Sequence, residues 1–187
     1  PGKAPVHIRL SVVGRSGSTV IGAYIAGWLS GGVHVGEIVR LTRSFDRNSE
    51  STWLCSCGEG VNKCHFWSKY PSIAQGKHPL SYDSVVGYLR KKNNGVAAFV
   101  DTSKTYDESI ATDLDLHLVK DPRATTWSWF RNREAQTQYG IEKLRRIGIK
   151  NLPRHVLYEY KWFLRFRIKK LPIVRYENFV CDPDKFI

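Results

Sequence analysis

The segment from His7 to Leu29 constrains the fold more than any other part of this sequence. His7 to Val13 (HIRLSVV) alternates and then turns apolar, the pattern of a β-strand entering a core. Gly14-Arg15-Ser16-Gly17-Ser18-Thr19 follows as a tight turn. Val20 to Leu29 then sets Ile21, Tyr24, Ile25 and Trp28 at helical spacing, and Ser30-Gly31-Gly32 closes that helix. A strand, a glycine turn and a helix in direct succession make an anion cradle. Backbone N–H groups converge in the turn, and the helix adds its positive end. Ser16, Ser18 and Thr19 contribute hydroxyls, and Arg15 contributes a permanent cation. The usual triphosphate loop has Gly-Lys followed by Ser or Thr, whereas here Gly17 is followed by Ser18.

The rest of the chain repeats the strand–helix alternation. Ser81 to Lys92 reads as a helix with Val85, Tyr88 and Leu89 on one face, broken by Asn93-Asn94-Gly95. Val96 to Val100 is a short apolar run suited to a buried parallel strand, with Asp101 at its end. Leu114 to Val119 alternates as another strand, and Asp121-Pro122 opens a helix that runs through Trp127 and Phe130, Asp as N-cap and Pro at the first helical position. Arg154 to Lys170 is a basic, aromatic-rich helix, and Leu171 to Tyr176 a final strand. This order predicts one α/β domain over residues 1–187 with a mostly parallel sheet, interrupted by an irregular insert at about 42–79. Parallel sheets place ligands at the C-terminal ends of their strands. Gly14 to Thr19, Asp101 to Lys104 and Lys120 to Arg123 all fall at such ends. The sequence contains no Met, and Asp182 to Ile187 breaks off as a helix begins, so the domain is expected to be incomplete at its C-terminus.

Composition narrows the partners. A 42% hydrophobic content over 187 residues supports a packed core and excludes a disordered or collagen-like chain. Val20 to Leu29, the longest apolar candidate, falls short of the roughly 20 residues that cross a bilayer. Pro1 to Val6 carries no signal-peptide pattern, so a cytoplasmic location is expected, or the Golgi lumen if the N-terminus has been trimmed. The net charge of +12 fits an ordinary solubilising charge or a polyanionic partner, whether nucleotide, nucleic acid, sulfated glycan or membrane surface, and charge alone does not choose among them. No recognised nucleic-acid motif is present, which disfavours nucleic acid. Cys55, Cys57 and Cys64 with His65 can be read as zinc ligands. The Cys-x-Cys spacing and the lack of a second pair favour a buried thiol cluster or a disulfide instead.

Arg15-Ser16-Gly17-Ser18-Thr19 resembles the 5′-phosphosulfate loop of the sulfotransferases that use PAPS (3′-phosphoadenosine 5′-phosphosulfate), carbohydrate and tyrosylprotein sulfotransferases among them. Leu118-Val119-Lys120-Asp121-Pro122-Arg123-Ala124 resembles their 3′-phosphate motif, and Ser128 stands at the matching position eight residues after Lys120. Lys120 departs from the family's usual Arg, which removes the bidentate fork. Val174-Arg175-Tyr176-Glu177-Asn178-Phe179 and Asp182-Pro183 resemble the strand and helix that follow. The family's basic C-terminal tail has no counterpart in this sequence.

The resemblance implies a three-layer P-loop-type α/β fold, a central mostly parallel β-sheet flanked by helices. It also implies sulfuryl transfer from PAPS to a hydroxyl or amine, with PAP as product and no metal. The acceptor would be a small molecule, a carbohydrate or a peptide. Ser16, Gly17, Ser18 and Thr19 would hold the 5′-phosphate, with Arg15 stabilising the leaving oxygen. Lys120, Arg123 and Ser128 would hold the 3′-phosphate. Glu37 resembles the Gly-Glu catalytic position of tyrosylprotein sulfotransferases and is the first choice of base, with His34 and Asp101 as alternatives. Lys104 resembles the family's second cation near the sulfuryl group. The insert is expected to form much of the acceptor pocket. In Arg154 to Lys170, aromatics are expected to face inward and charge outward, the alternative being contact with an anionic acceptor or a membrane surface. The rival reading is a P-loop kinase or nucleoside triphosphatase, because Val96 to Asp101 imitates the strand and Asp that hold magnesium there. The absent Gly-Lys pair counts against it.

Overall fold

Five short strands organise the described residues: β1 (Val6–Val12), β2 (Gly32–Gly36), β3 (Ala98–Asp101), β4 (Leu114–Val119) and β5 (Ile173–Arg175). They come from a computed structural model that describes residues 4–12, 16–43, 57, 59, 63–64, 66–67, 70, 81–92, 95–104, 111–136, 152–153, 156–158, 160–161 and 163–186. The strands form one parallel sheet in the order β2-β3-β1-β4-β5. Helices α1 (Ser18–Trp28), α2 (Ile38–Arg43), α3 (Tyr82–Lys92), α4 (Pro122–Gln136) and α5 (Tyr176–Cys181) connect or flank them, and a 3₁₀ turn (Pro183–Phe186) follows α5. This is the expected α/β class.

The chain divides into two compact units, 1–11 with 18–115 and 12–17 with 116–187. In the first, β3 pairs with β1 from Val6↔Ala98 to Arg9↔Asp101, and with β2 from Gly32↔Ala98 to Gly36↔Asp101. Strand β2 was not anticipated. Gly32 reads as part of the helix stop, and pairing with β3 holds the short GVHVG segment extended. Helix α1 lies against β2 and β3 through Gly22. A Cβ there would stand 2.6 Å from Thr102 Cγ2 and 2.8 Å from His34 Nε2. Val35, Ile38, Trp67, Tyr82, Val85, Leu89 and Phe99 form the core, with Cys64 and Tyr70 of the insert among them. The described part of the insert therefore supplies core.

Strand β1 buries its polar residues His7, Arg9 and Ser11 as well as its apolar ones. Arg9 makes this possible by a two-point pair with Asp115, Nε to Oδ1 at 2.6 Å and Nη2 to Oδ2 at 2.9 Å. A buried guanidinium without such a partner would cost several kcal/mol, roughly.

In the second unit, β4 pairs with β5 from His117↔Ile173 to Val119↔Arg175. Asp121 caps α4 as expected, its Oδ1 accepting the Arg123 N–H at 2.8 Å. The final strand is shorter than its pattern, and Tyr176 already begins α5. The described residues of 156–168 are helical and end at Lys170, whose φ of 55° is left-handed. Phe166 buries completely and stacks on His117 of β4, ring centroids 4.3 Å apart. The inward orientation expected for the aromatics fails at Tyr158 and Tyr160, which are exposed, while Phe163 is half-buried and Trp162 lies outside the described residues. No helix among the described residues is long and apolar enough to cross a membrane.

Candidate active site

The glycine turn begins where β1 ends. Ser16 is completely buried, and its Oγ has no hydrogen-bond partner among the described residues. A buried hydroxyl left unpaired costs about 1–3 kcal/mol. Gly17 has φ of +89°, which only glycine adopts without strain. Ser18 is buried in the first turn of α1, and Thr19 is exposed beside it. Arg15 lies outside the described residues.

Tyr176 belongs to the segment that resembles the family's final strand, and the resemblance implies no role for it. Its ring closes on the turn: a Cβ on Gly17 would stand 2.2 Å from Tyr176 Cε2 and 2.8 Å from Cδ2. The same ring carries the Lys120 ammonium, Nζ lying 4.4 Å from its centroid. One aromatic side chain thus ties the glycine turn to the β4 end. Beside it opens a cleft of about 620 Å³, lined by Val119, Lys120, Arg123, Arg175, Val156 and Phe163 among others. Arg123 is mostly exposed and pairs with Asp121, Nη2 to Oδ2 at 2.5 Å, which holds the Asp121 carboxyl down at about 2. Glu177 accepts the Asp121 N–H at 2.8 Å, joining α5 to the start of α4. Ser128 is half-buried on α4.

In the first unit, Glu37 follows β2 and Lys104 follows β3. Parallel pairing of these strands brings the two side chains together, Lys104 Nζ to Glu37 Oε1 at 2.6 Å. Glu37 is the more enclosed of the pair. Its position is set from β3. Asp101 is fully buried, and its Oδ1 accepts the Ile38 N–H at 3.2 Å, the Ser103 N–H at 2.8 Å and the Ser103 hydroxyl at 2.6 Å, while Tyr82 donates to Oδ2. Ser103 Oγ in turn accepts the Val39 N–H at 3.0 Å. Asp101 and Ser103 therefore serve the open N–H groups at the start of α2, directly after Glu37.

Both alternative bases lose ground here. Burial pushes the Asp101 carboxyl above the usual range against the pull of its hydrogen bonds, and these donors occupy it inside the protein. His34 is buried, touches Thr102 Oγ1 at 3.3 Å, and is held down at about 4 by burial.

Of the cysteine cluster, Cys57 and Cys64 are described: their Sγ atoms lie 3.6 Å apart, in contact and not bonded, while Cys55 and His65 lie outside the described residues. No group of three or more His, Cys, Asp or Glu side chains among the described residues is arranged to hold a metal.

No family model and no curated protein sequence matches this chain. Its fold is similar to the crystal structure of a sulfotransferase from Alicyclobacillus acidocaldarius, with a TM-score of 0.54 and 12% identity over 97% of this chain and 77% of that one. At that identity the likeness speaks for the fold.

Proposed function

We propose that this chain is a PAPS-dependent sulfotransferase. The observation that carries the reading is the Tyr176 ring, which touches Gly17 on one side and lies under Lys120 on the other. The two segments that resemble the 5′- and 3′-phosphate motifs thus meet the same ring, which supports a site for a nucleotide bearing two separated phosphates. The unpartnered Ser16 hydroxyl supplies a donor for the 5′-phosphate, with Ser18, Thr19 and the N–H groups of α1. Arg15 is assigned to the leaving oxygen on the motif alone. Lys120, Arg123 and Ser128 are assigned to the 3′-phosphate, with Arg175 as a further cation of the same cleft. Arg123 would exchange its Asp121 partner for phosphate.

In the reaction, an acceptor oxygen or nitrogen bonds to sulfur as the bond from sulfur to the 5′-phosphate oxygen breaks. The acceptor proton leaves to Glu37, and the product nucleotide is PAP. Lys104, which pairs with Glu37, is assigned on its motif to the charge that moves between acceptor and sulfuryl oxygens. As in phosphoryl transfer, positioning and electrostatics do most of the catalysis. The reading needs no metal. Calorimetric titration with PAP beside ADP, ATP and single-stranded DNA tests it. Selective binding of PAP is expected, and equal affinity for PAP and ADP would remove the 3′-phosphate site.

A further inference from the structure

The helical segment 156–168 has a face that no part of the donor site uses. Leu157, Tyr160, Leu164 and Ile168 recur at intervals of three and four, so they share one stripe within roughly 80° of arc. All four are exposed, at 55%, 56%, 37% and 79%. The helix already buries its opposite side through Phe166, and it lends Val156 and Phe163 to the cleft. The stripe is therefore additional to the core and to the candidate site. Contiguous exposed apolar side chains on a folded domain mark a surface that docks something.

The flanks indicate what. Lys161 and Arg165 border the stripe on one side and Arg167 on the other, all exposed, and exposed Lys169 and Lys170 follow at the helix end. Glu159 is the one acidic residue in the sequence from Val156 to Lys170. An apolar stripe edged on both sides by long cationic side chains suits a surface that is apolar beneath and anionic above. The apolar residues enter the acyl boundary, and the cations reach back to the headgroups. A nucleic acid would use the cations and leave Leu157, Leu164 and Ile168 in water.

We propose that this helix is an interfacial docking element that lays the protein on an anionic lipid surface. It would hold the cleft, which shares the helix, next to that surface. The proposal stands apart from the assignment of the donor.

Co-sedimentation with phosphatidylcholine vesicles, with and without phosphatidylserine, tests it. Binding is expected with phosphatidylserine and is expected to fall by more than tenfold without it. Ile168→Asp, at the most exposed stripe position, is expected to weaken binding on the order of tenfold or more. Arg167→Gln is expected to weaken it about fivefold, with a matching loss as salt rises. Neither variant touches the cleft residues, so both are expected to keep the parent's melting temperature and PAP titration. Equal binding to both vesicle types overturns the proposal. So does unchanged binding by Ile168→Asp, which would assign the effect to the overall charge of +12. Single-stranded DNA binding that falls with Arg167→Gln, in a protein that ignores the vesicles, assigns the cations to nucleic acid and also overturns it.

Discussion

Gly17→Ala is the sharpest probe of the glycine turn, because two independent effects act at one atom. The new Cβ would sit at φ of +89°, where an L-residue costs about 1–2 kcal/mol. It would also stand 2.2 Å from Tyr176 Cε2, 2.8 Å from Cδ2 and 3.1 Å from Cζ, against an ordinary carbon contact of roughly 3.5–4.0 Å. The ring must retreat, and overpacking of this kind typically costs about 1–3 kcal/mol. Together the substitution is expected to destabilise by roughly 2–5 kcal/mol, or about 2–4 °C in Tm per kcal/mol for a chain of this size. Moving the ring also moves the seat of Lys120, so PAP affinity is expected to fall with stability. Thermal melts and PAP titrations of Gly17→Ala, Tyr176→Ala and the double variant separate the two effects. In the double variant the ring is gone and only the backbone penalty remains, so the pair should be less harmful than the sum of the singles. Strict additivity would refute the contact with Tyr176, and a Gly17→Ala variant as stable as the parent would refute the whole argument.

Lys120→Ala is expected to weaken PAP binding at least tenfold and Lys120→Arg to retain or improve it, since the guanidinium can reach two phosphate oxygens. Unchanged affinity in Lys120→Ala, measured by calorimetry, would move the 3′-phosphate site elsewhere. Glu37→Gln is expected to keep PAP affinity and to lower turnover ~10²- to 10⁴-fold once an acceptor is in hand, and full activity would dismiss Glu37 as base. Stability should fall on acidification. Burial, reinforced at His7 by Arg9 and Arg90, holds His7 and His34 at about 4, below the ordinary value of 6.5. A depressed folded-state pKa gives stability that is complete above about pH 6.5 and is lost as pH falls through about 4, worth roughly 3 kcal/mol per histidine. Denaturant melts between these limits should show the slope, and His34→Gln should flatten it. An unchanged slope in that variant would show that His34 is not held neutral.

The parts of this fold that were legible in the sequence are those fixed by neighbours along the chain. The turn at Ser16 to Thr19 shows itself because a left-handed glycine and hydroxyl side chains are local requirements. The Asp121-Pro122 helix start shows itself for the same reason, and the Asp121 cap is in place. What escaped was set by distant partners. Val33 to Val35 is too short and too closely bounded by glycine to announce a strand, and only β3 makes it one. Arg9 reads as a solvent residue until Asp115 is opposite it. Asp101 reads as a base at a strand end, because nothing near it reveals that Tyr82 and the start of α2 will take up its oxygens. Glu37 and Lys104 were each named for their own motif, while their contact follows from the pairing of β2 with β3. The exposed tyrosines of 156–168 escaped because the aromatic spacing alone does not say which face of a helix the protein covers.

The dependence of α2 on β3 has a consequence for how this region can be exchanged between related chains. Helix α2 starts with Ile38 and carries no acidic residue in its first turn. The groups that accept its leading N–H bonds belong to Asp101 and Ser103, far along the sequence. A chimera that imports 36–43 without 98–104 therefore receives a helix whose leading N–H groups lose the Asp101 and Ser103 acceptors. The two segments are one inheritable part divided between two places in the chain. A crossover anywhere from Arg43 to Gly95 splits it, and the Glu37–Lys104 pair is expected to survive recombination only when both halves come from the same parent.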